Sequence, residues 1–171
     1  MNKTFLALGF LLFSVGLMAQ TMEMKVTNAT VAFVFLDDNT EGTLTDVDAT
    51  VSIDFTNLDA SNVQGTVNVS TLSTGNKVRD KHLLSADFFE EATYPTMSFQ
   101  STSLYSEGQA YKAKGNLTAK GETREVIFDV KSAGEELIFT TEIFANDFGI
   151  TKKKDKTKSK VRITVTISAG N

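Results

Sequence analysis

The chain of 171 residues contains no cysteine and no tryptophan, and it has one proline and one histidine. Without cysteine there is neither a disulfide framework nor a thiolate nucleophile, so packing alone must hold the fold. One histidine without cysteine also excludes the usual zinc clusters. The sequence contains no nucleophile elbow, phosphate-binding glycine loop or dinucleotide fingerprint. A Ser–His–Asp arrangement through His82 stays geometrically open but has no support. We therefore expect no enzyme, no metal site and no cofactor.

The charge balance is acidic and uneven along the chain. Lys and Arg number 17 against 21 Asp and Glu, for a net charge of −4. Residues 20–100 carry 4 basic and 12 acidic side chains, whereas residues 101–171 carry 12 and 9. An acidic chain without a broad basic face is a poor nucleic-acid binder. We therefore expect no nucleic-acid partner.

The first residues are typical of a secretory signal. Lys3 supplies a positive start, an uncharged run follows from Thr4 to Met18, and Ala19 offers a small residue for cleavage. The run is short for a membrane span, although an uncleaved anchor is the alternative. We predict a signal peptide over residues 1–19, one domain over residues 20–171, and localisation in the periplasm or outside the cell.

Strict alternation of apolar and polar residues runs through most of the remaining chain. Between Asp46 and Phe55, apolar residues occupy every second position without exception. Such a pattern predicts strands of an antiparallel sheet with one buried and one solvated face. Glycine-containing turns predict hairpins that join neighbouring strands, at Ser106–Gly108, Lys120–Glu122 and Ala133–Glu135. The runs add up to eight or nine strands, with predicted limits at Met22–Val26, Val31–Leu36, Leu44–Phe55, Val63–Leu72, 97–105, 109–119, 124–132, 136–145 and Lys160–Ser168.

Eight or nine antiparallel strands can form a sandwich or a closed barrel. Closure removes exposed strand edges, and a barrel of about eight strands has room for one small ligand. We predict an all-β fold, a single extended antiparallel β-barrel of about eight strands. One connection interrupts the strands: Ser85 is a candidate N-cap for a helix through Glu91, so we expect a short helical connection near residues 78–91. Whether the inward phenylalanines line a cavity or fill a core stays open.

Residues 70–101, STLSTGNKVRDKHLLSADFFEEATYPTMSFQS, resemble the signature of the YceI-like family. The resemblance continues through Tyr111–Gly121 and Asn146–Ile150. It implies a lipocalin-like barrel, exported to the periplasm, that holds a long apolar chain such as a polyisoprenoid, a quinone tail or a fatty amide. Members often carry histidines in the N-terminal strands, whereas Ala29–Phe35 has none. A headgroup contact through those histidines is therefore not expected here.

The expected ligand-binding residues combine inward aromatic and aliphatic positions with the helical connection. Arg79 and His82 offer hydrogen-bond donors to a polar or phosphorylated headgroup. The alternative is that Arg79 pairs with Asp80 or Asp87 or bonds loop carbonyls, while His82 is structural. The apolar members either line the cavity or seal one end of the barrel. The full set is Phe33, Phe35, Val51, Val67, Arg79, His82, Leu83, Phe88, Phe89, Phe99, Phe128, Phe139 and Phe148.

Six lysines lie within the nine residues Lys152–Lys160. They predict a transient contact with an anionic membrane surface, and the alternative is a solvated hairpin tip. We therefore expect an exported lipid-binding protein, a monomer or homodimer, that holds a long-chain isoprenoid-type amphiphile such as a polyprenyl lipid or quinone for transport, storage or sequestration. Two other classes stay open: an enzyme or enzyme accessory acting on a bound prenyl lipid, and a stress-related scaffold with a filled barrel.

Overall fold

The computed structural model describes residues 22–24, 26–54, 56–150 and 154–169. The predicted signal peptide lies outside these residues, as do Phe55, Lys152 and Lys153. Ten strands and one α-helix are found in the described part. No helix within it has the length and apolar character needed to cross a bilayer. The strands are β1 (Met22–Met24), β2 (Val26–Phe35), β3 (Thr40–Leu44), β4 (Val47–Ile53), β5 (Asn62–Asn68), β6 (Thr96–Glu107), β7 (Ala110–Ala119), β8 (Glu122–Ala133), β9 (Glu136–Phe144) and β10 (Lys160–Ala169).

All ten strands belong to one antiparallel sheet in the order β1-β4-β5-β6-β7-β8-β9-β10-β2-β3. At one end of this order β1 pairs with β4, and near the other end β2 pairs with β10. Only residue 25 separates β1 from β2, so one short stretch of chain pairs with strands near both ends of this order. The predicted antiparallel barrel is confirmed, with ten strands in place of about eight.

The predicted inward and outward faces agree with the burial of the side chains. On β4, Val51 and Ile53 are buried, whereas Asp48 and Thr50 are exposed. The predicted hairpin turns are also present, because three glycines in them take the left-handed backbone conformation that tight turns need. Their φ angles are 62° at Gly108, 74° at Gly121 and 65° at Gly134.

Some strand limits differ from the sequence prediction. The strand predicted over Leu44–Phe55 starts only at Val47, because Thr40–Leu44 forms a separate hairpin with β2. Thr43 also exchanges two backbone hydrogen bonds with Ser73, of 2.8 and 2.9 Å, which draws this segment toward the β5–β6 connection. The strand predicted over Val63–Leu72 ends at Asn68, whose side chain accepts a hydrogen bond from the Ser70 backbone and starts a 3-10 turn.

The helix lies earlier in the connection than predicted. Helix α1 runs over Lys77–Leu84, and the Asn76 side chain caps it by accepting from the backbone N–H groups of Val78 and Arg79. Ser85 is at its C-terminal end, where the hydroxyl donates to the His82 carbonyl over 2.7 Å. The predicted N-cap at Ser85 is therefore wrong. Asn is as good an N-cap as Ser, and here Asn76 is the residue that starts the helix.

Candidate ligand cavity

The inner faces of the strands line an apolar cavity of about 140 Å³. Every strand from β2 to β10 contributes to its wall, and Phe89 contributes from the connection between β5 and β6. No titratable side chain is among the described residues that line it. Seven of the thirteen predicted ligand-binding residues lie in the lining: Phe33, Phe35, Val67, Phe89, Phe99, Phe128 and Phe139.

Two glycines make room for phenylalanine rings in the wall. A Cβ atom at Gly42 on β3 would collide with the Phe33 ring, and one at Gly115 on β7 would lie 2.6 Å from Cζ of Phe99. Real Cβ contacts are not that short. The side chain of any residue other than glycine at position 42 or 115 would therefore need the space that the phenylalanine ring occupies. The glycines therefore fix where two of the cavity's aromatic side chains lie.

One end of the barrel, which we call the capped end, is covered by the connection between β5 and β6. Leu83 and Phe89 are buried there, and the Phe89 backbone N–H donates to the Leu83 carbonyl over 2.9 Å. Lys120, in the turn between β7 and β8, donates to the carbonyls of Ala86 and Gly149 over 3.1 and 3.2 Å. This lysine therefore ties together the three segments that form the capped end.

Arg79 and His82 lie on α1 and are exposed, and neither is in the cavity lining. The Arg79 guanidinium donates to the hydroxyl and the carbonyl oxygen of Thr74, over 2.7 and 2.9 Å. His82 lies 3.8 Å from the Asp87 carboxylate and packs edge-to-face against Phe88, with ring centroids 4.9 Å apart. These contacts match the structural alternative, and a headgroup contact by either residue stays a prediction.

The remaining four predicted residues lie next to the cavity without lining it. Leu83, Phe88 and Phe148 pack in the apolar cluster of the capped end. Val51 is buried in the other cluster, toward the opposite end of the barrel. The sequence prediction also missed lining residues, because it favoured phenylalanines over smaller inward positions. The alternation that selected Val51 also marks Val47 and Ala49, which do line the cavity.

Two lysines of the lysine-rich segment, Lys156 and Lys160, form ion pairs with acidic side chains of the barrel. Lys160 and Arg162 both bind the Glu142 carboxylate, at 2.5 and 2.8 Å, and hold the pKa of Glu142 below its usual value. Lys156 binds Asp147 at 2.6 Å and lies over the Phe144 ring. Lys154 and Lys158 are exposed. Within the described ranges, no group of three or more potential metal ligands is present.

The fold and the cavity define a small single-sheet β-barrel with an apolar interior site. A family model described as the YceI-like domain matches residues 20–169. The chain belongs to the YceI-like family.

Curated relatives match part of the chain. Protein YceI of Salmonella arizonae is 39% identical over 94 residues, which is 55% of this chain and 49% of the relative. Protein YceI of Salmonella newport matches to the same extent. The matched segment thus spans about half the length of these relatives.

Solved structures share the fold over most of the chain. BcnA of Burkholderia cenocepacia superposes with a TM-score of 0.75 at 25% identity, covering 83% of this chain and 96% of that one. The Campylobacter jejuni YCEI protein gives 0.67 at 20% identity, covering 78% and 86%. A polyisoprenoid binding domain from Saccharophagus degradans, implicated in plant cell wall breakdown, gives 0.56 at 13% identity, covering 86% and 98%.

Proposed function

We propose that the protein is a lipid-binding barrel that holds the tail of a long-chain isoprenoid-type amphiphile for transport, storage or sequestration. The observation that carries this proposal is the apolar cavity, whose wall contains seven of the residues that the sequence singled out as ligand contacts. The shared fold of the polyisoprenoid binding domain from Saccharophagus degradans supports the ligand class.

The energetics of the cavity favour an apolar ligand. An apolar cavity of about 150 Å³ stays dry in a well-packed protein and takes up a molecule such as benzene. While the cavity is empty, the apolar side chains of its wall lack packing partners on one side. A tail that enters recovers this packing and gains about 0.8 kcal/mol for each methylene removed from water.

The two other classes have less support. A scaffold with a filled barrel needs a solid interior, whereas this barrel has a cavity of about 140 Å³. An enzyme acting on the bound lipid needs acid, base or nucleophile groups at the ligand, whereas the described lining residues are apolar apart from Gln64, Thr66 and Ser98. These three alternate with inward residues on β5 and β6, so their side chains belong to the outer face. Binding without turnover is therefore our proposal.

Filling part of the cavity should weaken binding. Ala49 lies in the lining opposite Gly65, and its neighbour Thr50 is exposed on the outer face. We expect Ala49→Phe to lower the affinity for an apolar fluorescent probe at least about tenfold, since the ring takes the space of the tail. Thr50→Phe adds the same ring on the outside and should leave affinity unchanged. Equal affinities of the two variants would contradict a binding site in this cavity.

We also propose that the protein is exported to the periplasm or beyond, with cleavage after Ala19. The support is the order of a positive start, an apolar run and a small residue at the N-terminus. The intact mass of the protein from cell-envelope and external fractions tests this. A protein that retains residues 1–19 in those fractions would refute cleavage.

The lysine-rich segment is proposed to contact an anionic membrane when lipid is exchanged. Each lysine near such a surface contributes about 1 kcal/mol. We therefore expect the triple variant Lys154→Gln, Lys156→Gln and Lys158→Gln to weaken sedimentation with phosphatidylglycerol vesicles by up to about a hundredfold.

The matched control neutralises three lysines on the wall strands β7 and β8: Lys112→Gln, Lys114→Gln and Lys131→Gln. It removes the same charge from another surface, so vesicle binding should change by less than about threefold. Similar losses for both triple variants would mean that net charge alone controls binding.

A further inference from the structure

A gap in the strand pairing separates β2 from β4. β2 pairs with β10 along its length and with β3 over Val31–Phe35, whereas β4 pairs with β5 and, over Val51–Ile53, with β1. Within the described residues, one edge of Val26–Thr30 and one edge of Val47–Thr50 therefore have no strand partner. The backbone N–H and C=O groups on these two edges lack the hydrogen bonds that paired strands exchange.

A polar cleft of about 200 Å³ lies in this gap, and we call it the seam cleft. Residues 26–29 line one side of it and residues 45–49 line the other. Val47 and Ala49 line both the seam cleft and the apolar cavity. The seam cleft therefore adjoins the cavity at these two residues of β4.

An amphiphile whose tail lies in the cavity needs a polar site for its headgroup. The inward side chains of the described cavity lining are apolar, so a headgroup among them would lose its hydrogen bonds to water without replacement. In the seam cleft, the unpaired backbone groups and the side chains of Asn28 and Thr45 offer both donors and acceptors. The seam cleft therefore supplies the hydrogen bonds that the cavity lacks.

The charge of the seam cleft distinguishes between headgroups. Asp46 and Asp48 line it and are exposed, and no lysine or arginine is among its described lining residues. An anionic headgroup would meet two negative charges there, and like charges at short range repel each other. An uncharged headgroup forms its hydrogen bonds without this repulsion.

We propose that the seam cleft holds the headgroup of the bound amphiphile and selects an uncharged headgroup, such as a hydroxyl, a quinone carbonyl or an amide, over a phosphate. This inference rests on the proposed lipid-binding function and adds the class of headgroup to it. Asp46 and Asp48 set the selectivity, and the apolar cavity holds the tail.

The test compares farnesol with farnesyl phosphate, which have the same tail and differ in the headgroup. Displacement of an apolar fluorescent probe measures both affinities. We expect the wild-type protein to bind farnesol at least about tenfold tighter than farnesyl phosphate. The double variant Asp46→Asn and Asp48→Asn removes the repulsion, so it should lower this ratio at least about fivefold while the affinity for farnesol stays the same.

The matched control is the double variant Glu125→Gln and Asp129→Asn. Both residues are exposed on β8, which lies four strands from β4 in the sheet order, so the control changes the net charge equally at a distant surface. It should change the ratio by less than about twofold, because charges in solvent are screened over about 10 Å.

Salt gives a second measurement that needs no variant. Raising sodium chloride from about 20 to about 300 mM screens the two carboxylates, so wild-type affinity for farnesyl phosphate should rise at least about threefold relative to farnesol. Equal changes of the ratio in the two double variants, or binding of farnesyl phosphate that weakens relative to farnesol as salt rises, would overturn the inference. Failure of the wild type to bind either compound would instead refute the proposed function.

Discussion

Replacing Ile53 with aspartate should lower the free energy of unfolding by more than about 3 kcal/mol. Ile53 faces the inside of β4, is 5% exposed and packs in the apolar cluster that also contains Val51, Leu104 and Leu137. A carboxylate there has no hydrogen-bond or ionic partner among its packed neighbours, so it either stays charged at a large cost or takes up a proton. Urea unfolding at neutral pH measures the loss.

Thr50→Asp is the control for this prediction. Thr50 lies three residues away on the same strand, is exposed and pairs with Gln64 on the outer face. The new carboxylate stays in water, so the free energy of unfolding should change by less than about 0.5 kcal/mol. Comparable losses for the two variants would mean that the inner and outer faces of β4 are wrongly assigned.

Gly115→Ala should also be strongly destabilising, by about 2 kcal/mol or more. A Cβ at this position would collide with the Gln100 carbonyl and lie 2.7 Å from Cα of Ser101 and 2.6 Å from Cζ of Phe99. Two of these neighbours are backbone atoms of β6, the strand that pairs with β7, so relief requires the two strands to separate locally. A chemical unfolding curve measures the effect.

Gly65→Ala supplies the matched comparison. Gly65 is also an inward glycine in a strand, but the nearest atom to its Cβ position is the Asp48 carbonyl oxygen at 3.2 Å. The methyl group points into the cavity, so a loss below about 1 kcal/mol is expected. An equal loss for both variants would show that the loss of glycine itself, rather than the close approach to the β6 backbone and Phe99, sets the cost at Gly115.

The strands could be predicted from the sequence because a strand with one buried face alternates apolar and polar residues. Val47, Ala49, Val51 and Ile53 alternate with polar residues, and the structure places all four on the inner face. The start of α1 was misplaced because Asn76 and Ser85 are both adequate N-caps. A local pattern does not decide between two caps, and in the structure the helix that Asn76 starts contains the buried Leu83.

The sequence did not show which inward residues line the cavity. Val51 and Ala49 have the same inward orientation, but Ala49 lines the cavity and Val51 does not. That difference depends on how the strands are staggered around the barrel, which a single sequence does not specify. Arg79 and His82 were chosen because they are close in sequence to Phe88 and Phe89. Nearness along the chain did not bring either of them to the cavity wall.

The most direct test of the central claim is to purify the protein from its own host without denaturation, extract it with organic solvent and identify the extract by mass spectrometry. The apolar cavity predicts that an amphiphile with a prenyl tail is recovered in a substantial ratio to the protein. Repeated recovery of empty protein, which also takes up neither quinones nor polyprenyl phosphates when they are added, would contradict the account.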